Sequence, residues 1–139
     1  MEFDYRQPLS ASTDTLTVNC FGPDVIKVYI NAPDSCQSGI VVYRISTIEI
    51  LIWRDRGLHT IHLSKIGAAI KHSIFTLANY LGNNIGDYTA TEKVEEVESQ
   101  LKFIRVNLKD IDRVLSLDNV NELLDYDAEF KGINFGVSG

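Results

Sequence analysis

The sequence predicts an α+β fold: an antiparallel sheet of about five strands over residues 15–63, followed by two or three helices. Three observations predict it. Apolar residues recur mostly at every second position up to residue 63, the period of strands with one buried face. Beyond Ser64 they recur at steps of three and four, the period of amphipathic helices. The 139 residues, 45% hydrophobic and 23% charged, suit one domain of ordinary size.

Residues 1–14 are expected to be a flexible lead-in. Leu16, Val18 and Cys20 then alternate with Thr15, Thr17 and Asn19, which reads as a first strand. "FGPD" supplies a turn, and Val25 to Ile30 forms a second strand that pairs with the first as a hairpin. After a loop at 31–39, "GIVVYRISTIEILIW" is so rich in β-branched and aromatic residues that it must be strand, with a bend or bulge near Ser46 to relieve its length. It is apolar on both sides, so it belongs at the centre of the sheet or under helices.

The stretch "IWRDRGLHTIHL", residues 52–63, holds the only tryptophan and two of the three histidines. Arg54, Asp55, Arg56 and Gly57 join two extended apolar runs and form a hairpin tip, read as a type I turn followed by a residue with positive φ. On the returning strand His59 and His62 fall on opposite faces, so they cannot clamp one metal as a helical i, i+4 pair does. No metal site and no cofactor are expected.

Residues 64–130 form the helical part. Ser64 is the expected N-cap of a helix carrying Ile66, Ile70, Ile74, Leu77 and Leu81 and ending at Gly82, with Ala68, Ala69, Phe75 and Ala78 on its other face. Thr89 and Glu92 form a capping box for the next helix. There Val94, Val97, Leu101, Ile104, Leu108, Ile111 and Leu115 repeat at alternating steps of three and four, the heptad of one long seam helix. At ~1.5 Å per residue the seam exceeds ~30 Å, whereas the helix before it offers about 25 Å. Phe103, Val106 and Val114 add apolar surface off the seam. That surplus predicts a homo-oligomer, dimer or higher, joined through Val97, Leu101, Ile104, Leu108 and Ile111. A short acidic helix capped by Asp118 buries Val120, Leu123, Leu124 and Phe130, and the glycine-rich tail 131–139 either frays or adds an edge strand through Ile133 and Phe135.

Charge and composition bound the function. A net charge of -6 disfavours nucleic acid and anionic lipid as partners and favours a basic protein. No apolar run reaches the ~20 residues of a membrane span, and the opening residues lack the features of a secretory signal or transit peptide, so the expected compartment is the cytoplasm. Cys20 reads as a small buried hydrophobe and Cys36 as an unactivated loop thiol. Neither a phosphate-binding glycine loop, nor a nucleophile elbow, nor a close pair of carboxylates in an apolar setting is present, so the chain is not expected to be an enzyme.

Residues 44–72 carry five cations against two carboxylates, a local +3 that leaves -9 elsewhere. The expected function is therefore non-catalytic binding of another macromolecule, as an inhibitor, immunity-type or accessory factor, with acidic helices facing a basic partner. The alternative is binding or sequestration of a small anionic ligand such as a nucleotide, held by Arg54, Arg56, His59 and Lys65 with Trp53 as a stacking surface.

Overall fold

The computed structural model describes residues 2, 9–31, 38–83, 85 and 90–124. Its architecture is α+β: five antiparallel strands in the order β1 to β5, with helices packed on one face. The order is α1 (Leu9–Phe21), a single 3-10 turn, β1 (Ile26–Asn31), β2 (Ser38–Ile45), β3 (Ile48–Asp55), β4 (Leu58–Lys65), β5 (His72–Ser73), α2 (Ile74–Tyr80), α3 (Val94–Val106), α4 (Leu108–Leu115) and α5 (Val120–Leu123). The apolar strand β3 lies at the centre, as its two-sided hydrophobicity requires.

One sheet face carries Val41, Tyr43, Ile48, Ile50, Ile52, Ile61 and Leu63, all buried against the helices. On the other face Val42 and Leu51 form a smaller cluster with Val28, Tyr29, Ile40 and Trp53. The tip at residues 54–57 does turn a corner. Its two central residues, Arg56 and Gly57, both have positive φ, at 53° and 83°, so the loop is the two-residue form that matches strand twist rather than a type I turn. The bend expected near Ser46 is also a full hairpin: Ser46, at φ 56°, reverses the chain so that Ile45 faces Ile48 across β2 and β3.

Four expectations are corrected. Residues 15–20 are not strand, and residues 9–14 are not all lead-in, because α1 spans both. The stripe it turns inward is Leu9, Thr13 and Thr17, at steps of four. Its hydroxyls bond back along the helix, Thr13 Oγ1 to Leu9 O at 3.0 Å and Thr17 Oγ1 to Thr13 O at 2.7 Å, which satisfies them without water. β1 consequently pairs with β2 instead.

Second, no helix starts at Ser64. Ser64 and Lys65 end β4, Gly67 takes a φ of 84°, and β5 intervenes before Ser73 caps α2 by accepting from Phe75 N at 3.2 Å. Third, the seam helix breaks at Asn107, where φ is -107° and ψ 21°, and the side chain and backbone N–H both bond Phe103 O. Fourth, the seam is not surplus. Val97, Leu101, Ile104 and Ile111 are fully buried in the chain's own core and Leu108 packs against it, while Phe103 and Val114 are buried too. Of the extra apolar residues only Val106, 66% exposed, faces out.

Near α5, Asp118 is exposed and the cap position falls to Asn119, which makes no side-chain capping bond. Cys20 is half-buried on α1. Cys36, Thr89, Phe130 and the tail 131–139 lie outside the described residues.

Candidate functional site

The five residues expected to hold an anion are divided between two faces and two ends of the β3–β4 hairpin. Arg54 and His59 are register partners on the helix-facing side, and both are buried. Burial pushes His59 down to about 4, and the neighbouring Arg54 charge pushes the same way, against the backbone bonds to Thr91 and Gly57. The imidazole is neutral at pH 7. Trp53 points to the opposite face, half-buried against Val42 and Leu51. Arg56 stands at the tip with its side chain 87% exposed, 3.8 Å from Asp55. Lys65 lies at the far end of β4, ~20 Å along the strand from His59, where its Nζ meets Asp112 Oδ1 at 2.5 Å. The hairpin tip therefore brings no three of them together.

A second charged group forms on the opposite face. Glu49, the one acid inside the apolar run of β3, is register partner of both Arg44 and Ser64. Its Oε2 accepts from Arg44 Nε at 3.0 Å and its Oε1 from Lys71 Nζ at 2.9 Å. Lys71 Nζ also donates to Ser64 Oγ at 2.8 Å, and Ser64 Oγ passes its own hydrogen to Lys65 O. Burial would raise the Glu49 pKa, but Lys71, Arg44 and the Gly67 N–H hold it below the usual carboxylate value; burial lowers Lys71 while Glu49 opposes that. The serine and lysine resemble a nucleophile and its base only in distance. With an ionised carboxylate beside it, Lys71 donates to Ser64 rather than abstracting from it, and both side chains are almost completely buried. The arrangement holds charge and locks the 65–71 loop to the sheet. Glu49 in "ISTIEILIW" was its only sequence signal, because a lone acid in a two-sided apolar strand demands a buried partner.

A third feature depends on residues 15–20 being helix rather than strand, which the alternation of Leu16, Val18 and Cys20 conceals. Helices α1 and α3 pack together, with Cys20 of α1 near Arg105 of α3. Between them lies a groove of about 440 Å³, floored by Leu16 and Cys20. Its α3 wall is Glu95, Glu98, Ser99, Lys102 and Arg105, spaced so that one helix face presents acid at its first turns and base ~10 to 15 Å further on. Burial raises the Cys20 thiol, with Arg105 opposing, so this cysteine is not an activated nucleophile.

Among the described residues no cluster of three metal-ligating side chains forms, and no helix is long and apolar enough to cross a membrane. No protein-family model, curated protein or solved structure matches the chain.

Proposed function

We propose that the chain works without catalysis, as a binding partner of another protein, and that the α1–α3 groove is the contact surface. The observation that carries this reading is the groove's polarity: a cleft within the size range of binding pockets, with Glu95 and Glu98 at one end and Lys102 and Arg105 at the other. Such a wall selects a segment whose cationic group precedes its anionic group in one direction only, and like charges placed opposite would oppose the reverse orientation. The best-placed titratable groups for chemistry, His59, Glu49 and Lys71, are all engaged in the interior, which supports a binding role over a catalytic one.

The test is affinity capture from the cells that express the protein, using the wild type and the double charge reversal Glu98→Lys, Lys102→Glu. Both positions are exposed, so the variant should melt within about a degree or two of the wild type. A protein retained by the wild type and lost by the variant is the expected result. Equal retention by both, or none by either, would count against the groove.

A further inference from the structure

The α3 wall of the groove is its own complement. Glu95, Glu98, Ser99, Lys102, Arg105 and Val106 are all exposed, and their spacing places them on one face of the helix. Glu98 and Lys102 stand two residues either side of position 100, and Glu95 and Arg105 five either side, with the acid always on the N-terminal side. Turned end for end about position 100, such a face sets a base against every acid. Glu98 and Lys102 are also one turn apart with the acid first, the order in which such a pair closes along its own helix. Among the described residues, however, none of Glu98, Lys102 and Arg105 forms an ion pair.

We propose that the segment this groove recognises is the α3 helix of a second copy of the chain, laid antiparallel across it in a two-fold dimer. The proposal rests on the groove being the contact surface and names its occupant. A foreign segment would need only a base followed by an acid; matched spacing about one point is what a self-pairing helix requires in addition. In this register Glu98 of each copy faces Lys102 of the other, and Glu95 faces Arg105. The two Glu98 contacts carry the argument, because the Glu95 carboxylate already hydrogen-bonds the chain's N-terminal amine. Val106, 66% exposed, comes level with the half-buried Val94 of the other copy, since these two are also equidistant from position 100. Leu16 and Cys20, partly buried on the groove floor, are left for the aliphatic stems of the incoming Lys102 and Arg105 to cover. A parallel pair would set Glu98 on Glu98 and Lys102 on Lys102.

Each copy carries a net charge of -6, so the long-range field opposes association and the local register supplies the attraction. Exchanging both charges, Glu98→Lys with Lys102→Glu, inverts the wall yet leaves it self-complementary. Two copies of that variant pair as two wild-type copies do. A mixed pair sets Lys against Lys and Glu against Glu, at the same net charge.

The test uses the full chain purified alone, as wild type, as the double reversal, and as an equal mixture of the two carrying different fluorescent labels. Sedimentation equilibrium and energy transfer between the labels should show dimers of each with dissociation constants within about threefold, and mixed pairs at least about tenfold weaker. The single variants Glu98→Lys and Lys102→Glu give a second reading: each alone should pair at least about tenfold more weakly, and mixing them should restore the dimer. A wild type that stays monomeric at its highest soluble concentration would overturn the proposal, and so would mixed pairs that form as readily as like pairs. A monomeric wild type alongside a foreign protein that the double reversal fails to hold would remove the second copy and leave the groove standing, so the two readings fail separately.

Discussion

Thr13 and Tyr43, thirty positions apart, meet with their hydroxyl oxygens 2.7 Å apart in the contact between α1 and β2. Tyr43 OH donates to Asp14 Oδ1 at 2.5 Å and so accepts from the Thr13 hydroxyl, whose hydrogen is shared between Tyr43 and Leu9 O, and Asp14 Oδ2 accepts from Lys27 Nζ at 2.8 Å. Burial and the Asp14 bond raise the phenol far above its usual range, so it stays a donor at any working pH. This chain of bonds fixes α1 on the sheet. Tyr43→Phe should cost about 1 to 3 kcal/mol, Thr13→Val a similar amount, and the double variant less than their sum by about 1 kcal/mol in denaturant titrations. Strict additivity would show that the two hydroxyls do not act together.

Arg54 and Arg56 are two residues apart and should behave as opposites. Arg54 is completely buried beside His59, whereas the Arg56 side chain is exposed. Arg54→Ala should lower stability by roughly 2 to 4 kcal/mol through lost packing and desolvated neighbours, and Arg56→Ala should change it by no more than about 0.5 kcal/mol. Thermal melts of the two single variants are enough, and equal effects would contradict the placement.

Acid should weaken the fold in two steps. His59 has its pKa lowered to about 4 in the folded chain against 6.5 ordinarily, so the unfolded state binds the extra proton and stability falls as pH drops from 6.5 towards 4, by about 3 kcal/mol in all. Glu49 is also lowered, so its contribution is present above 4.5 and is lost below that as its folded-state pKa is passed. Denaturant midpoints measured from pH 7.5 to 4 should fall, and His59→Phe, if it folds, should flatten the upper part of the curve. A wild-type midpoint that holds level over that interval would be inconsistent with a neutral buried His59.

The Glu49–Lys71 pair predicts an asymmetry between single and double replacement. Glu49→Gln leaves the Lys71 ammonium buried without its carboxylate and should cost about 3 to 5 kcal/mol. Replacing both, with Gln at 49 and Met at 71, should restore a good part of that loss, because no isolated charge then remains. A double variant as unstable as the sum of the singles would argue against direct coupling.

These contacts also explain what was legible in the sequence. Strands β2 to β4 and the buried stripe of α3 and α4 follow from hydrophobic period, because Val41, Ile50, Leu101 and Ile111 face the core through aliphatic atoms alone. Helix α1 did not, since the side chains it buries at Thr13 and Thr17 are polar by composition and apolar only once their hydroxyls are bonded. The false helix at 64–82 fitted the spacing of Ile66, Ile70 and Ile74, but Gly67 leaves the helical region, and Ser64 is drawn into the sheet by Lys71. The groove needs α1 to be helical, which its polar buried stripe conceals, whereas the hairpin tip gathers Arg and His within a few residues of sequence and then divides them between two faces.

The central claim is that the α1–α3 groove recognises a partner by charge order, and the most direct measurement is the dissociation constant of the captured partner for the wild type and for the Glu98→Lys, Lys102→Glu double reversal. Since that pair keeps the net charge while inverting the groove's polarity, general electrostatic attraction is unchanged. The account predicts a loss of at least about tenfold in affinity, equivalent to about 1.4 kcal/mol, with the melting temperature preserved. An unchanged dissociation constant in a folded variant would contradict it.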